Sequence, residues 1–200
     1  MSRRLVVSVI GDGFLDKDSA KYQFAYDMGE ALVSAGYRVM SGGLSGVMEA
    51  AFAGAHASPV YRDGDTIAVL PGNNPDEANR FADIVIASGL DHARNFIVAN
   101  SDAVIAVGGG AGTLSELSYA WVMKRLILAY RVPWAKRSSL QFTDWSAVVA
   151  DKKLDDKVRY PELEDDQIFG VSSAREAISI LTEKMPKYNQ RPKQAGKREI

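Results

Sequence analysis

The sequence has no cysteine, which excludes disulfides, thiolate metal sites and a cysteine nucleophile. It has almost no net charge either, with 24 Lys and Arg residues against 25 Asp and Glu. A chain so balanced has no global field to draw it to nucleic acid or to an anionic membrane, so a small molecule is the expected partner. Long hydrophobic runs are also missing. The apolar stretch from Leu5 to Ile10, which follows Arg3 and Arg4, is too short for a signal peptide, and no other run is long enough to span a bilayer. A cytoplasmic protein without nucleic-acid or membrane partners is therefore expected. The two histidines, His56 and His92, lack the paired spacing of a metal site, and no metal is expected. No Ser-His-Asp order and no nucleophile elbow occurs.

At 200 residues, 46% of them hydrophobic, the chain is sized for one core. Short runs rich in Val, Ile and Leu alternate with segments of helical period, the pattern of a parallel sheet buried between two helix layers. The runs RLVVSVI, YRVMS, DTIAVLP, ADIVIAS, DAVIAV and RLILAY read as strands, and IFGVSS as a last one. Helices are predicted over 18–35, closed by Gly36, and over 44–56, 91–100 and 113–124. A final helix over SAREAISILTEK is capped by Ser172 or Ser173. The predicted fold is α/β: a Rossmann-like doubly wound parallel sheet in three layers, α/β/α. One domain is expected over 1–185, with a disordered basic tail over 186–200. Between Arg131 and Gln167 the pattern loosens around Pro133, Trp134, Trp145 and DKKLDDK, as in a lid, a dimer contact or a surface excursion.

Three glycine turns follow predicted strands: Gly11-Asp12-Gly13, Ser41-Gly42-Gly43-Leu44-Ser45-Gly46, and Gly108-Gly109-Gly110-Ala111-Gly112-Thr113. In a parallel sheet all three fall on the edge where ligands bind. Glycine allows the backbone to approach an anion, and the N–H groups and dipole of the next helix complete such a site. Gly11, Gly13, Ser41, Gly42, Gly43, Gly46, Gly108, Gly109, Gly110, Ala111, Gly112 and Thr113 are the expected ligand-binding residues. Neither GxxxxGK[ST] nor GxGxxG with a distal acidic residue is present, so an ATPase or an NAD dehydrogenase is unsupported.

Arg94 is predicted in the first turn of a helix, where a cation opposes the dipole. Either a ligand phosphate or a salt bridge to Asp91 or Asp102 would compensate it. Glu116 follows Thr113 at capping-box spacing, so it reads either as a cap or as a carboxylate serving a ribose or an attacking water. Glu49, behind the second turn, reads either as a solvated residue or as one that reaches the same cleft; His92 neighbours Arg94 there, and His56 reads as a helix-end residue.

The motifs SGGLSGVMEAA, LDHARNF and GGGAGTLSELSYAW occur in that order, each at a predicted strand-to-helix turn. Together they resemble the group that joins the Lonely-guy type cytokinin riboside 5′-monophosphate phosphoribohydrolases and the molybdenum cofactor carrier proteins, a group often mislabelled lysine decarboxylase. The resemblance covers roughly Leu5 to Tyr130. Gly109, Gly110, Gly112, Thr113 and Glu116 match the phosphoribohydrolase fingerprint PGGxGTxxE, and Arg94 matches its upstream arginine. Gly108 stands where proline belongs and Asn95 where lysine belongs, departures that look more like the carrier branch.

The resemblance implies hydrolysis of the N-glycosidic bond of a nucleoside 5′-monophosphate, with Arg94 and Glu116 as catalytic residues and Gly42, Gly43 and Gly46 completing the pocket. The alternative it implies is a non-catalytic carrier or sensor of the molybdenum cofactor or another phosphorylated pterin or nucleotide. The bound ligand is then a nucleoside monophosphate or the molybdenum cofactor, and no further cofactor is required. A homo-oligomer, at least a dimer, is also implied. A third reading places partner binding in 131–167 and the basic tail.

Overall fold

The computed structural model describes residues 3–132 and 143–188. Among these residues seven strands form one sheet in which every pairing between named strands is parallel. They are β1 (Val6–Gly11), β2 (Arg38–Ser41), β3 (Thr66–Leu70), β4 (Ile84–Ala87), β5 (Ala103–Val107), β6 (Leu126–Tyr130) and β7 (Phe169–Val171). The order β4-β3-β2-β1-β5-β6-β7 places the reversal of winding between β1 and β5. At such a switch point the two following connections turn to opposite faces and leave a crevice above the strand ends.

The central strands are apolar on both sides, because helices cover both faces. Ala103, Ile105 and Val107 of β5 join one core with Val7 and Val9 of β1, while Val104 and Ala106 join a second with Ile10. The first core is closed by α1 (Ala20–Ser34), α2 (Val47–Ala57) and the last helix, α6 (Ala174–Tyr188). The second is closed by α3 (Asn95–Ala99), α4 (Ala111–Val122) and α5 (Trp145–Val149). The fold is thus the Rossmann-like three-layer α/β/α arrangement expected from the alternation.

Helix starts explain most departures from the expected boundaries. Ser19 caps α1 by accepting from the N–H of Tyr22, so the helix begins after the predicted Asp18. Ser173 caps α6 by accepting from the N–H of Glu176, and the Glu176 carboxylate accepts in turn from the N–H of Ser172. The helix predicted over 91–100 is a 3-10 turn, Asp91–Arg94, followed by the short α3. α6 continues through Pro186 to Tyr188, three residues into the predicted tail, because Met185 and Tyr188 pack into the core. Pro133 and Trp134, and the tail beyond Tyr188, lie outside the described residues.

From 143 to 167 the chain is anchored by Arg159. Its guanidinium bonds both oxygens of Asp166, at 2.9 and 2.5 Å, and lies 3.6 Å over the Trp121 ring. Trp145 packs against the second core.

Candidate functional site

A cleft of about 300 Å3 opens above the ends of β1, β2 and β5. Gly11 and Gly13 of the first turn line it, with Ser41 and Gly42 of the second and Gly110, Gly112 and Thr113 of the third. Arg94 and Glu116 close its inner side, next to Asn95 and Met48, and His92 stands at the rim. Sequence elements far apart in the chain therefore meet because the switch point directs their connections to one place.

Arg94 enters from the 3-10 turn that follows β4, at the start of α3. Its Nη1 donates to Glu116 Oε1 at 3.3 Å, long for a charge-assisted bond. Its Nε is buried without a hydrogen-bond partner among the described residues. The salt bridge to Asp91 or Asp102 expected from the sequence does not form: Asp102 is bonded by Arg3 at the opposite edge of the sheet. Gly42 makes the space for this guanidinium, since a Cβ there would sit 2.6 Å from Nη2 and 2.7 Å from Nη1.

Glu116 is only 6% exposed. Burial pushes its carboxyl up to about 7, against a partial opposing pull from Arg94. The same burial lowers the Arg94 pKa, and Glu116 opposes that shift. The capping-box reading of Thr113 and Glu116 is overturned. α4 begins at Ala111 with Gly110 at its cap, so Thr113 and Glu116 lie inside the helix and the carboxylate faces the cleft. Among the described residues no side chain caps the start of α4 at Gly110, and first-turn N–H groups have no partner within a helix. The positive end of α4 thus faces the cavity beside Arg94.

The remaining glycine-turn residues hold the cleft's shape and do not line it. Gly43 packs on Ala68 and Leu70, and Gly46 on the backbone of Asp12 and Gly13. Ala111 is exposed on the first turn of α4. Gly109 has φ +100°, and a Cβ there would meet Thr113 Oγ1 at 2.1 Å. Its N–H donates to Asp12 Oδ1 at 3.0 Å, and its carbonyl accepts from the N–H of Trp145, also at 3.0 Å. Gly108 N donates to Ser146 Oγ at 2.8 Å. Glu49 does not reach this cleft, because α2 turns it into a neighbouring cavity with Lys17. His56 ends α2, as expected, stacked on Tyr61 with Nε2 3.0 Å from the Phe81 carbonyl oxygen.

Sequence reasoning missed the device that braces the third turn. Lys21 Nζ lies 2.7 Å from Asp12 Oδ2 and 2.6 Å from Asp144 Oδ2, a single ammonium between two carboxylates. Asp12 holds Gly109, and Asp144 accepts from Ser146, which holds Gly108. The signal was the acidic residue between Gly11 and Gly13, and an Asp-x-Ser at a helix start. Asn95, at the position expected to hold lysine, is buried and donates to Ser115 Oγ at 2.8 Å, tying α3 to α4.

Among the described residues no helix is long and apolar enough to cross a membrane, and no group of His, Asp and Glu is placed to hold a metal ion. Glycine turns at the switch point of a parallel sheet, closed by a buried Arg–Glu pair, define a Rossmann-like α/β protein with a polar cleft. A family model described as the SLOG cluster 4 family matches residues 4–160, and the chain belongs to that family. It is 41% identical over 128 residues to an uncharacterized protein of Archaeoglobus fulgidus, an alignment that covers 64% of this chain and 80% of the relative. Among solved structures it resembles the molybdenum cofactor binding protein of Rippkaea orientalis, with a TM-score of 0.69 and 26% identity over 92% of this chain and 98% of that one. The molybdenum cofactor carrier protein of Chlamydomonas reinhardtii gives a TM-score of 0.66 and 25% identity over 90% and 98% of the two chains.

Proposed function

We propose that this protein binds a phosphorylated pterin or nucleotide in the cleft and carries it without turnover, the molybdenum cofactor being one such cargo. The observation that carries the reading is Arg94. A cation this buried, with one loose partner and an unbonded Nε, costs free energy until an anion completes its contacts. A phosphate between Arg94 and the first turn of α4 receives the guanidinium and the helix N–H groups together. The family and the two cofactor proteins that the fold resembles support the same ligand class.

One observation favours a second reading. A carboxyl near pKa 7, as Glu116 is, suits general acid–base work on an N-glycosidic bond. Chromatography for free base, after incubation with purine and pyrimidine nucleoside 5′-monophosphates, separates the two. The carrier reading expects no base, together with a ligand-dependent rise in melting temperature. Base release that is lost in Glu116→Gln replaces it with the ribohydrolase.

A further inference from the structure

Arg94 and Glu116 stand together on the inner side of the cleft, so a phosphate brought to the first meets the second. Glu116 is 6% exposed, and among the described residues its one side-chain hydrogen bond is the 3.3 Å contact that Oε1 accepts from Arg94 Nη1. Oε2 accepts from no group among those residues, although the carboxylate faces the cavity. An ionised Glu116 beside a phosphate dianion would set three negative charges against one guanidinium and the positive end of α4. Two anionic groups in one largely dry site do not both stay ionised, and one of them takes up a proton. Burial has already carried Glu116 toward that state, to about 7. An anion that also draws on the attraction of Arg94 pushes it further the same way.

The other titratable groups near α4 are engaged with one another or lie apart. Asp12, which lines the cleft from the first turn, and Asp144, at the cap of α5, are both bound to Lys21. His92 stands at the rim on a side chain that is 86% exposed. β1, β5, β6, α3 and α5 contain no charged residue, and Glu116 is the single one in α4. Tyr119 of α4 packs on Phe96, and Tyr130 of β6 belongs to the core on the other face of the sheet. Arg159 and Asp155 engage Trp121 at the far end of α4. Arg94 is thus the one charged partner of Glu116 among the described residues.

We propose that Glu116 enters the complex as the neutral acid and donates its proton from Oε2 to one oxygen of the phosphoryl group, while Arg94 holds another. Because this rests on the phosphate reading of the cleft, it makes binding a proton-linked event at that site. Above neutral pH the solvent supplies the proton as the ligand binds, and the grip loosens as pH rises. Oε1 continues to accept from Arg94 Nη1. The same proton sets which anions fit. A carboxylic acid that donates needs only an acceptor, so it takes a fully ionised group, sulfate as well as the phosphate dianion. An ionised carboxylate only accepts, and would require an anion that carries a proton of its own.

Titration calorimetry of the full chain with inorganic sulfate, which does not titrate near neutral pH, separates the Glu116 proton from any proton on the ligand. Sulfate affinity is expected to fall about tenfold from pH 6 to pH 8 at constant ionic strength. Binding heats at pH 8 in two buffers of different ionisation enthalpy should report the uptake of about one proton per anion. Glu116→Gln, whose amide donates at any pH, should lose the slope and bind sulfate at pH 8 about tenfold more tightly than wild type. A flat profile without proton uptake, a slope that survives Glu116→Gln, or one that disappears in His92→Gln overturns the proposal while the phosphate reading stands. So does binding of phosphate without sulfate, which places the proton on the ligand. Failure of both anions to bind at any pH removes both readings.

Discussion

Two arginines of this protein are largely withdrawn from solvent, the Arg159 side chain 4% exposed and the Arg94 side chain 12%, and they do opposite things. Arg159, 4% exposed, has all its donor groups engaged: Asp166 takes Nε and Nη2, the carbonyls of Trp121 and Arg125 take Nη1, and the Trp121 ring takes the guanidinium face. Among the described residues Arg94 has one side-chain hydrogen bond, at 3.3 Å, and an unbonded Nε. A buried cation that is fully partnered joins elements, here the 155–166 segment to α4 and to Tyr188 of α6, whose hydroxyl also reaches Asp166. One left incompletely partnered on the inner side of a cleft is prepared for something outside the chain. Burial alone does not distinguish structural charge from functional charge, and partner geometry does.

Removing each arginine should break the contrast in a different place. Arg159→Ala leaves Asp166 buried without its cation, at a cost of about 3–5 kcal/mol, so a melting temperature lower by roughly 10 °C is expected. The phosphate affinity of the folded protein should not change, because Arg159 does not line the cleft.

The carboxyl opposite Arg94 should appear as a pH dependence. Glu116 has an ordinary value of 4.5 and a folded value of about 7, so the folded state keeps a proton that the unfolded chain loses first. Its contribution to stability is complete below pH 4.5, falls as pH rises, and levels off above 7, an overall loss of about 3 kcal/mol at most. Thermal unfolding from pH 4 to pH 9 should show this slope in the wild type. Glu116→Gln should lack it and should melt higher than wild type at pH 8.

Arg94→Leu is expected to lower phosphate affinity by about 2–3 kcal/mol, roughly 30- to 100-fold by calorimetry. Its stability should change by less than about 1 kcal/mol at neutral pH, because Glu116 takes up a proton once its cation is gone. A loss as large as that of Arg159→Ala would make Arg94 a structural ion pair and end the comparison. Gly42→Ala is the gentlest change. The added methyl meets the flexible ends of Arg94 and Met48, so melting should barely move while phosphate binding weakens by about fivefold, roughly 1 kcal/mol.

Much of this was legible in the residues. The strand runs, the three glycine turns and their common edge follow from hydrophobic period and the geometry of parallel sheets, and Arg94 and Glu116 stood out by their positions at helix starts. The start of α4 was misplaced by two residues because Thr-x-x-Glu has capping spacing, whereas Gly110 can take the cap position without a side chain. That small shift decides whether Glu116 serves a backbone or a cleft.

Local pattern determined the fold class, since alternating apolar runs and helical segments bury their surface well only as a covered parallel sheet. It also determined that glycine, with no Cβ, would mark the strand ends where backbone comes close to backbone or ligand. Which charges meet was decided by tertiary structure. Lys21 bridges Asp12 and Asp144, Arg94 faces Glu116, and Glu49 falls in a separate cavity, all through contacts between residues distant in sequence. A charged group's partner, and with it its protonation and its role, depends on packing across the sheet, which short-range spacing does not encode.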